Sequence, residues 1–241
     1  MDFIAGELGL KQFDWDAAQV SICYPGYPRP MTGESPGRTR YRRESDAAHV
    51  DGLLPEGSAR RRHLREYHGF ILGIPMVEFD ADASPFVVWE GSQEIMRAAF
   101  GRRFCGLAPE LWGEQDITDT YHAARKQALA ECRRVEIHAR PGEAFIAHRL
   151  VLHGMAPWRE GATAGDDGRM ICYFRPDPFG AYEWLNNPGA GLMPGWGLRG
   201  GQAEGLSPGF GGWEGKGIGF QSVRVQVRVI RPLGVSISAA R

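Results

Sequence analysis

Short apolar runs, separated by clusters of glycine, proline and polar residues, recur along the chain. Runs of this length that are rich in Ile, Val and Phe and end at Pro or Gly predict β-strands. The strand-like runs lie in AQVSICYPGYPRP, EYHGFILGIPMVEFDAD, FVVWEG, RRVEIHARPGEAFIAHRLVLHG and GRMICYFRP. In QSVRVQVRVI, valine alternates strictly with Arg or Gln, which predicts a strand with one buried and one solvent-exposed face.

Two segments have helical character, whereas the first third of the chain reads as short strands and loops. SQEIMRAAFGRRF predicts a short helix with Ser92 as its N-cap. DTYHAARKQALAECRR consists of good helix formers, with Asp119 at its start and Arg133 and Arg134 at its end, where these charges complement the helix dipole. Many short strands with two inserted helices predict a mainly β fold, either a sandwich or a jelly roll.

Composition and charge narrow the class of protein. The 241 residues, 43% of them hydrophobic, suffice for a single domain over residues 1–241 and exclude a disordered chain. The formal net charge of −1 gives no electrostatic footprint for nucleic acid, and no apolar run is long enough to span a membrane. The four cysteines form no CxxC motif and the first residues do not resemble a signal peptide, so we expect a reduced, cytoplasmic setting.

Glycine is unusually frequent, and 14 of the 33 glycines fall between residues 180 and 219. Trp184, Trp196 and Trp213 lie in the same segment. The segment is either a linker or a long ordered loop that covers a site, and both interpretations stay open.

His49, Val50 and Asp51 form the first candidate for chemistry. On an extended strand, residues two apart project to the same face, so the imidazole of His49 and the carboxylate of Asp51 can converge on one metal ion while Val50 faces the core. His-x-Asp is frequent by chance, and alone it fits an ordinary polar strand end better than a metal site.

The run PGEAFIAHRLVLHGMAPW provides a second candidate, because its apolar residues lead to His153 at a predicted strand end. His148 lies in the same run, where a hydrogen-bonded core histidine is the commoner case. Arg169 stands at the head of GRMICYFRP, and Arg175 follows six residues later on the same face. An arginine that enters an apolar strand is costly unless it meets an anion.

Two histidines and one carboxylate together match the facial triad of non-haem Fe(II) oxygenases, which leaves three coordination positions open. A bidentate 2-oxo acid and O₂ can take those positions. The far carboxylate of the 2-oxo acid then needs a rigid bidentate partner, and arginine is the side chain best suited to that role.

The order of these motifs resembles the phytanoyl-CoA dioxygenase family of Fe(II)/2-oxoglutarate oxygenases. HVD is followed by GFILGIPMVEFDADASPFVVWEGSQE, PGEAFIAHRLVLHGMAPW and RMICYFRP, and the similarity covers roughly residues 41 to 176. The resemblance implies a double-stranded β-helix, which is a jelly-roll barrel with the metal at its open end. It also implies that His49, Asp51 and His153 bind Fe(II) and that Arg169, with Arg175 as the alternative, binds 2-oxoglutarate.

The same resemblance implies a dioxygenase that uses O₂ to hydroxylate a small organic substrate and that releases succinate and CO₂ from 2-oxoglutarate. Asp51 favours hydroxylation over halogenation, because halogenating relatives lack this ligand. Many members of the family have a small hydroxyl residue two positions after the second histidine ligand, which is His153 in this chain. This chain has Met155 there, so we expect one hydrogen bond fewer to 2-oxoglutarate.

Two other functions stay open. A cupin-like isomerase or hydrolase would use the same three ligands with another metal ion and would not need Arg169. A non-catalytic binding module would have the same fold but no enzymatic activity.

Overall fold

The computed structural model describes residues 13–178 and 180–186, together with the backbone of a strand at Val227–Ile230. In this part of the chain the strands form two antiparallel sheets and one hairpin, with a few helices between them. The prediction of a mainly β fold is therefore confirmed at this level. The described strands do not close into one continuous barrel.

The larger sheet has five strands from widely separated parts of the chain. They are β1 (Gln19–Cys23), β4 (Phe70–Pro75), β7 (Ala144–His148), β9 (Arg169–Phe174) and β10 (Val227–Ile230). Their order across the sheet is β1, β9, β4, β7 and β10, and each neighbouring pair is antiparallel. This order places the start of β9 beside the end of β1.

The smaller sheet and a hairpin complete the β structure of the described residues. The sheet consists of β5 (Phe86–Trp89), β6 (Arg134–Ile137) and β8 (His153–Met155), with β5 in the centre, and the hairpin pairs β2 (Leu53–Glu56) with β3 (Arg61–Leu64). One hydrophobic cluster contains buried residues of both sheets, so the two sheets pack against each other; its members include Ile71, Phe145 and Tyr173 of the larger sheet and Phe86 and Val88 of the smaller one.

The helices pack mainly around the smaller sheet. They are α1 (Pro36–Glu44), α2 (Ser92–Phe104), α3 (Thr118–Glu131) and α4 (Ala181–Asn186), with a 3₁₀ helix at Pro109–Glu114. A second hydrophobic cluster joins Met96 and Phe100 of α2, Tyr121 of α3 and Trp184 of α4 to Trp89 of the sheet. The two predicted helices, α2 and α3, are confirmed. No helix in the described ranges has both the length and the apolar character needed to cross a membrane.

Three expectations about helices are wrong. Helix α3 ends at Glu131, so Arg133 and Arg134 do not form its last turn, and Arg134 begins β6 instead. Ser92 is the first residue of α2 rather than its N-cap; the cap is Gly91, which has a left-handed φ of 85°, and the Ser92 hydroxyl instead accepts a hydrogen bond from the Leu152 backbone N at 2.8 Å. The first third of the chain contains α1, which begins after the N-cap Ser35. Helix α1 buries no residue, so its sequence has no apolar stripe that would have predicted it.

The apolar run that precedes His153 is not one strand. Strand β7 ends at His148, where the His148 carbonyl accepts a hydrogen bond from Val151 N at 2.9 Å and the His148 ring lies 3.0 Å from Leu150 N. These bonds turn the chain, so that His153 begins β8 in the smaller sheet instead of ending a strand of the larger one. The turn moves His153 toward the segment that contains His49.

Part of the glycine-rich segment lies outside the described residues. Within residues 180–186 the chain forms α4, and Trp184 is buried in the core. Trp196 and Trp213 lie outside the described residues. The choice between a linker and a covering loop concerns the same residues and stays open. The side chains of QSVRVQVRVI also fall outside it, although the backbone of β10 pairs with β7.

Candidate metal centre

Backbone pairing brings His49 and His153 side by side. The amide of each residue donates to the carbonyl of the other, at N–O distances of 2.8 and 3.0 Å. The neighbouring Gly154 permits this approach, because a Cβ at that position would lie 2.1 Å from the Asp46 carbonyl oxygen. The two imidazoles therefore start from adjacent backbone positions, with ring centroids 4.5 Å apart.

The segment that leads into His49 is held on both sides. Asp46 and Ala47 adopt left-handed φ angles of 51° and 53°. The Asp46 carboxylate accepts two hydrogen bonds from the Arg134 guanidinium, at 2.6 and 3.1 Å. The Tyr41 hydroxyl of α1 donates to the Ala48 carbonyl. Left-handed φ angles are costly for residues other than glycine, and these contacts hold Asp46 and Ala47 in that conformation directly before the His-x-Asp motif.

Three ligand atoms converge at this point. Nε2 of His49 lies 3.2 Å from Oδ1 of Asp51, and Nε2 of His153 lies 3.4 Å from Oδ2 of the same carboxylate. One ligand atom from each residue lies within 4.8 Å of the other two. Val50 between them is buried, as the strand parity predicted. The structure thus brings together the three residues that the sequence proposed as metal ligands.

The histidine tautomers suit metal binding. Nδ1 of His49 lies 2.8 Å from the Ala47 carbonyl oxygen, and Nδ1 of His153 lies 3.0 Å from the Val151 carbonyl oxygen. A carbonyl oxygen only accepts, so each Nδ1 carries the proton and each Nε2 presents its lone pair to the cluster. Backbone carbonyls commonly orient metal-binding histidines in this way.

The electrostatics of the cluster favour two of the protonation states that a metal needs, an ionised Asp51 and a neutral His153. Burial acts to raise the pKa of Asp51, but its interactions with His153 and His49 outweigh burial and hold this pKa well below its ordinary value. Burial lowers the pKa of His153. Burial acts in the same direction on His49, where the hydrogen bond with Asp51 prevails and raises the pKa. At neutral pH we expect an ionised Asp51 beside a neutral His153.

The cluster faces a cavity of about 540 Å³. Its lining is mixed in character and includes the aromatic side chains of Tyr27, Phe86 and Tyr173. The polar and charged residues that line it, besides the three candidate ligands, are Asp16, Gln19, Ser21, Tyr27, Asp46, Glu66, His68, Tyr173 and Arg175. A cavity of this size accommodates a small molecule.

Arg169 is fully buried, with 0% of its surface exposed. Its Nη1 donates to the Ser21 hydroxyl and its Nη2 to the Tyr173 hydroxyl, both at 3.3 Å, while its Nε has no hydrogen-bond partner. No carboxylate of the described residues forms an ion pair with it. Because a buried guanidinium without an anion is costly, this site suits an anionic ligand that reaches it past Ser21 and Tyr173, which line the cavity.

Arg175, the alternative 2-oxoglutarate arginine, already has an anionic partner. Its Nε lies 2.5 Å from Oδ2 of Asp51, and its Nη1 donates to Oε1 of Gln19 at 2.8 Å. Arg169 and Arg175 lie on the same strand face but have different surroundings. Arg175 already pairs with Asp51, whereas Arg169 has no carboxylate partner among the described residues, so Arg169 is better suited to bind an anionic ligand.

His148 belongs to the core. It is buried, and burial together with the charges of Arg149 and Arg97 holds its pKa well below its ordinary value. Its Nε2 lies 3.1 Å from Nη2 of Arg97 rather than near the cluster of ligand atoms. This agrees with the sequence-based interpretation of His148 as a structural histidine.

The sequence reasoning missed the part of the site that β1 contributes. Gln19 and Ser21 line the cavity, whereas Val20 and Ile22 are 52% and 43% exposed. The alternation is the reverse of an ordinary half-buried strand, because the polar residues face the cavity and the apolar residues face solvent. This inverted pattern within a predicted strand was the signal that could have revealed its part in the site. His68 was not among the sequence-predicted site residues, because it lacks the strand-end context of His153; it lines the cavity and bonds the Arg175 carbonyl at 2.8 Å.

Comparisons with protein-family models, with curated proteins and with solved structures found no match to this chain.

Proposed function

We propose that this chain is an Fe(II)- and 2-oxoglutarate-dependent dioxygenase that hydroxylates a small organic substrate and releases succinate and CO₂. One observation supports it most strongly. The His-Asp-His cluster lines a cavity together with Ser21 and Tyr173. The hydroxyls of these two residues bond Arg169, which is buried behind them and has no carboxylate partner among the described residues. The cluster suits a divalent metal, and the arginine suits the far carboxylate of a 2-oxo acid bound to that metal.

The fold supports a jelly roll of the double-stranded β-helix type. Between β4 and β9 the chain crosses repeatedly from one packed sheet to the other: β4, β7 and β9 belong to the larger sheet, and β5, β6 and β8 belong to the smaller. Such exchange between two antiparallel sheets is typical of a jelly roll. In this arrangement the ligand cluster lies where His49 extends the edge of the smaller sheet beside β8.

The chemistry of the donors fits Fe(II). Two neutral imidazoles and one carboxylate are the ligands that non-haem iron oxygenases use, and the cluster offers no thiolate. Iron bound there would supply the activation of O₂ that couples oxidation of 2-oxoglutarate to hydroxylation of a substrate C–H bond. The protein would supply the geometry and the exclusion of water.

The residues around the metal site would bind 2-oxoglutarate, orient the metal ligands and exclude water. Arg169 would bind and orient 2-oxoglutarate, with the Ser21 and Tyr173 hydroxyls fixing the guanidinium. Nδ1–H donation to the backbone holds His49 and His153 with Nε2 toward the metal. The buried aromatic side chain of Phe86, 5.5 Å from the His153 ring, shields that ligand from water.

The direct test is an anaerobic calorimetric titration of 2-oxoglutarate into protein loaded with Fe(II). We expect 2-oxoglutarate to bind only when metal is present, and Arg169→Met to lose that binding while keeping the metal. Arg133→Met is the matched control, because Arg133 is exposed and, among the described residues, pairs only with Glu90.

Three outcomes separate the candidate functions. Metal-dependent binding of 2-oxoglutarate that requires Arg169 supports the dioxygenase. Metal binding with no affinity for 2-oxoglutarate contradicts the dioxygenase and favours the metal-dependent isomerase or hydrolase. Absence of metal binding would favour the non-catalytic binding module.

A further inference from the structure

We propose that Arg175 is a positioning residue that fixes the Asp51 carboxylate in its metal-binding orientation; the proposal rests on the metal site of the proposed function. The Nε atom of Arg175 lies 2.5 Å from Oδ2 of Asp51, and both side chains are largely buried, at 19% and 15% exposure. A charge-assisted hydrogen bond of this length, shielded from solvent, restricts rotation of the carboxylate.

Arg175 is itself held from several directions. Its Nη1 donates to the Gln19 side chain at 2.8 Å, and its guanidinium lies 5.5 Å from the centre of the Tyr173 ring. Its backbone N donates to Asp16 at 2.8 Å, and its carbonyl oxygen accepts from Nδ1 of His68 at 2.8 Å. The guanidinium is thus preorganised before it meets Asp51.

The ligand set explains why Asp51 needs such support. Each histidine is oriented by a backbone carbonyl that binds its Nδ1. A carboxylate has no second ring nitrogen through which the backbone could orient it in the same way. The only side chain outside the cluster that bonds Asp51 in the described part of the chain is Arg175. Partners that orient a metal ligand typically contribute 10- to 100-fold in metal affinity.

Position on the strand gives the two arginines separate tasks. Arg169 and Arg175 are six residues apart on the same face of β9 and its extension; Arg169 is fully buried and bonds Ser21, whereas Arg175 is partly exposed and bonds Gln19. Ser21 and Gln19 are two residues apart on β1, which pairs with β9, so each arginine reaches a polar side chain of the neighbouring strand. Arg169 with Ser21 suits the cosubstrate, and Arg175 with Gln19 supports the metal ligand.

The test compares metal binding by wild type, Arg175→Met, Arg175→Lys and the surface control Arg133→Met. Co(II) serves as the probe, because its visible absorption spectrum reports ligand geometry as well as occupancy. We expect Arg175→Met to bind Co(II) about 10- to 100-fold more weakly with an altered spectrum. Arg175→Lys should recover part of the affinity, since a lysine can still donate to Asp51, and Arg133→Met should match wild type.

Wild-type affinity within twofold and an unchanged Co(II) spectrum in Arg175→Met would overturn the proposal. If Arg175→Met does not fold, Gln19→Leu provides the second variant, because Gln19 is exposed and removing its amide releases the guanidinium without deleting it. Gln19→Leu should then shift the Co(II) spectrum, and a wild-type spectrum there would overturn the proposal equally. Failure of the wild-type protein to bind Co(II) would instead refute the metal site of the proposed function.

Discussion

His49 and His153 are joined through their backbones, each amide donating to the carbonyl of the other. The contact spans more than a hundred residues of sequence, and the spacing of the two imidazoles follows from it rather than from side-chain packing. A metal centre built on paired backbones is rigid, and rigid elements hold catalytic groups more reproducibly than loops do. The integrity of this pairing is therefore the first property to test.

Gly154→Ala should disturb the pairing directly. The new Cβ would lie 2.1 Å from the Asp46 carbonyl oxygen, which is backbone and cannot move aside cheaply. We expect a loss of about 1–3 kcal/mol in the free energy of unfolding, as for overpacked sites, together with weaker metal binding. Gly165→Ala is the control, because a Cβ there meets nothing within 4 Å. Equal stability of the two variants, measured by urea denaturation, would contradict the steric argument.

Two histidines of one apolar run should behave differently when substituted. His153→Gln removes a candidate ligand and should abolish stoichiometric metal binding while the protein stays folded. His148→Gln alters a buried core histidine and should lower the free energy of unfolding by about 1–3 kcal/mol while metal stoichiometry stays intact. Metal analysis after dialysis, paired with thermal unfolding, measures both. Loss of metal from His148→Gln in a folded protein would require a different ligand set.

Met155→Ser should strengthen the binding of 2-oxoglutarate. The Met155 sulfur accepts from the Cys23 thiol at 3.0 Å and from the Ser21 hydroxyl at 4.0 Å, and the same hydroxyl accepts from Arg169. A hydroxyl at this position adds a hydrogen-bond donor beside the proposed carboxylate site, so we expect about 2- to 10-fold tighter binding by anaerobic titration. Met155→Leu keeps the bulk without the donor and should bind as wild type does. Unchanged affinity in Met155→Ser would remove residue 155 from the cosubstrate site.

Acid sensitivity should depend in part on Glu34. Hydrogen bonds from the Arg42 side chain, with further ones from Thr39 and the Met31 backbone, lower the pKa of Glu34 from 4.5 to about 2. A carboxyl group whose pKa is lower in the folded state stabilises the fold above its unfolded pKa, and this stabilisation is lost as the pH falls toward the folded pKa. The window therefore runs from about pH 4.5 down to about pH 2.

Glu34→Gln removes this titration. Its free energy of unfolding should change less with pH across the window than that of wild type, as measured by denaturant unfolding at several pH values. Glu110→Gln controls for the loss of an acidic side chain elsewhere. A pH dependence in Glu34→Gln as steep as that of wild type would show that Glu34 does not contribute.

The local parts of the site could be predicted from the sequence, because they depend on strand parity. His49 and Asp51 project to one side because they are two apart, and Val50 between them is buried for the same reason. Arg169 at the head of an apolar strand was recognisable as a buried cation that needs an anion. These inferences require only the period of a strand and the cost of burying charge.

The remaining parts depend on strand order, which local patterns do not encode. The bond from Arg175 to Gln19 forms because β1 pairs with β9, and the ion pair of Arg175 with Asp51 joins the end of β9 to the segment after His49. The turn after His148, which moves His153 to the other sheet, interrupts an apolar run that periodicity reads as continuous. Helix α1 was missed because it buries no residue and so has no apolar stripe for periodicity to detect.

Diffraction from crystals soaked anaerobically with Mn(II) and 2-oxoglutarate tests the central claim most directly, since Mn(II) gives an anomalous signal. We predict one strong anomalous peak bonded to Nε2 of His49, Nε2 of His153 and a carboxylate oxygen of Asp51, with the far carboxylate of 2-oxoglutarate on Arg169. A peak bonded elsewhere, or 2-oxoglutarate that does not reach Arg169, would contradict it.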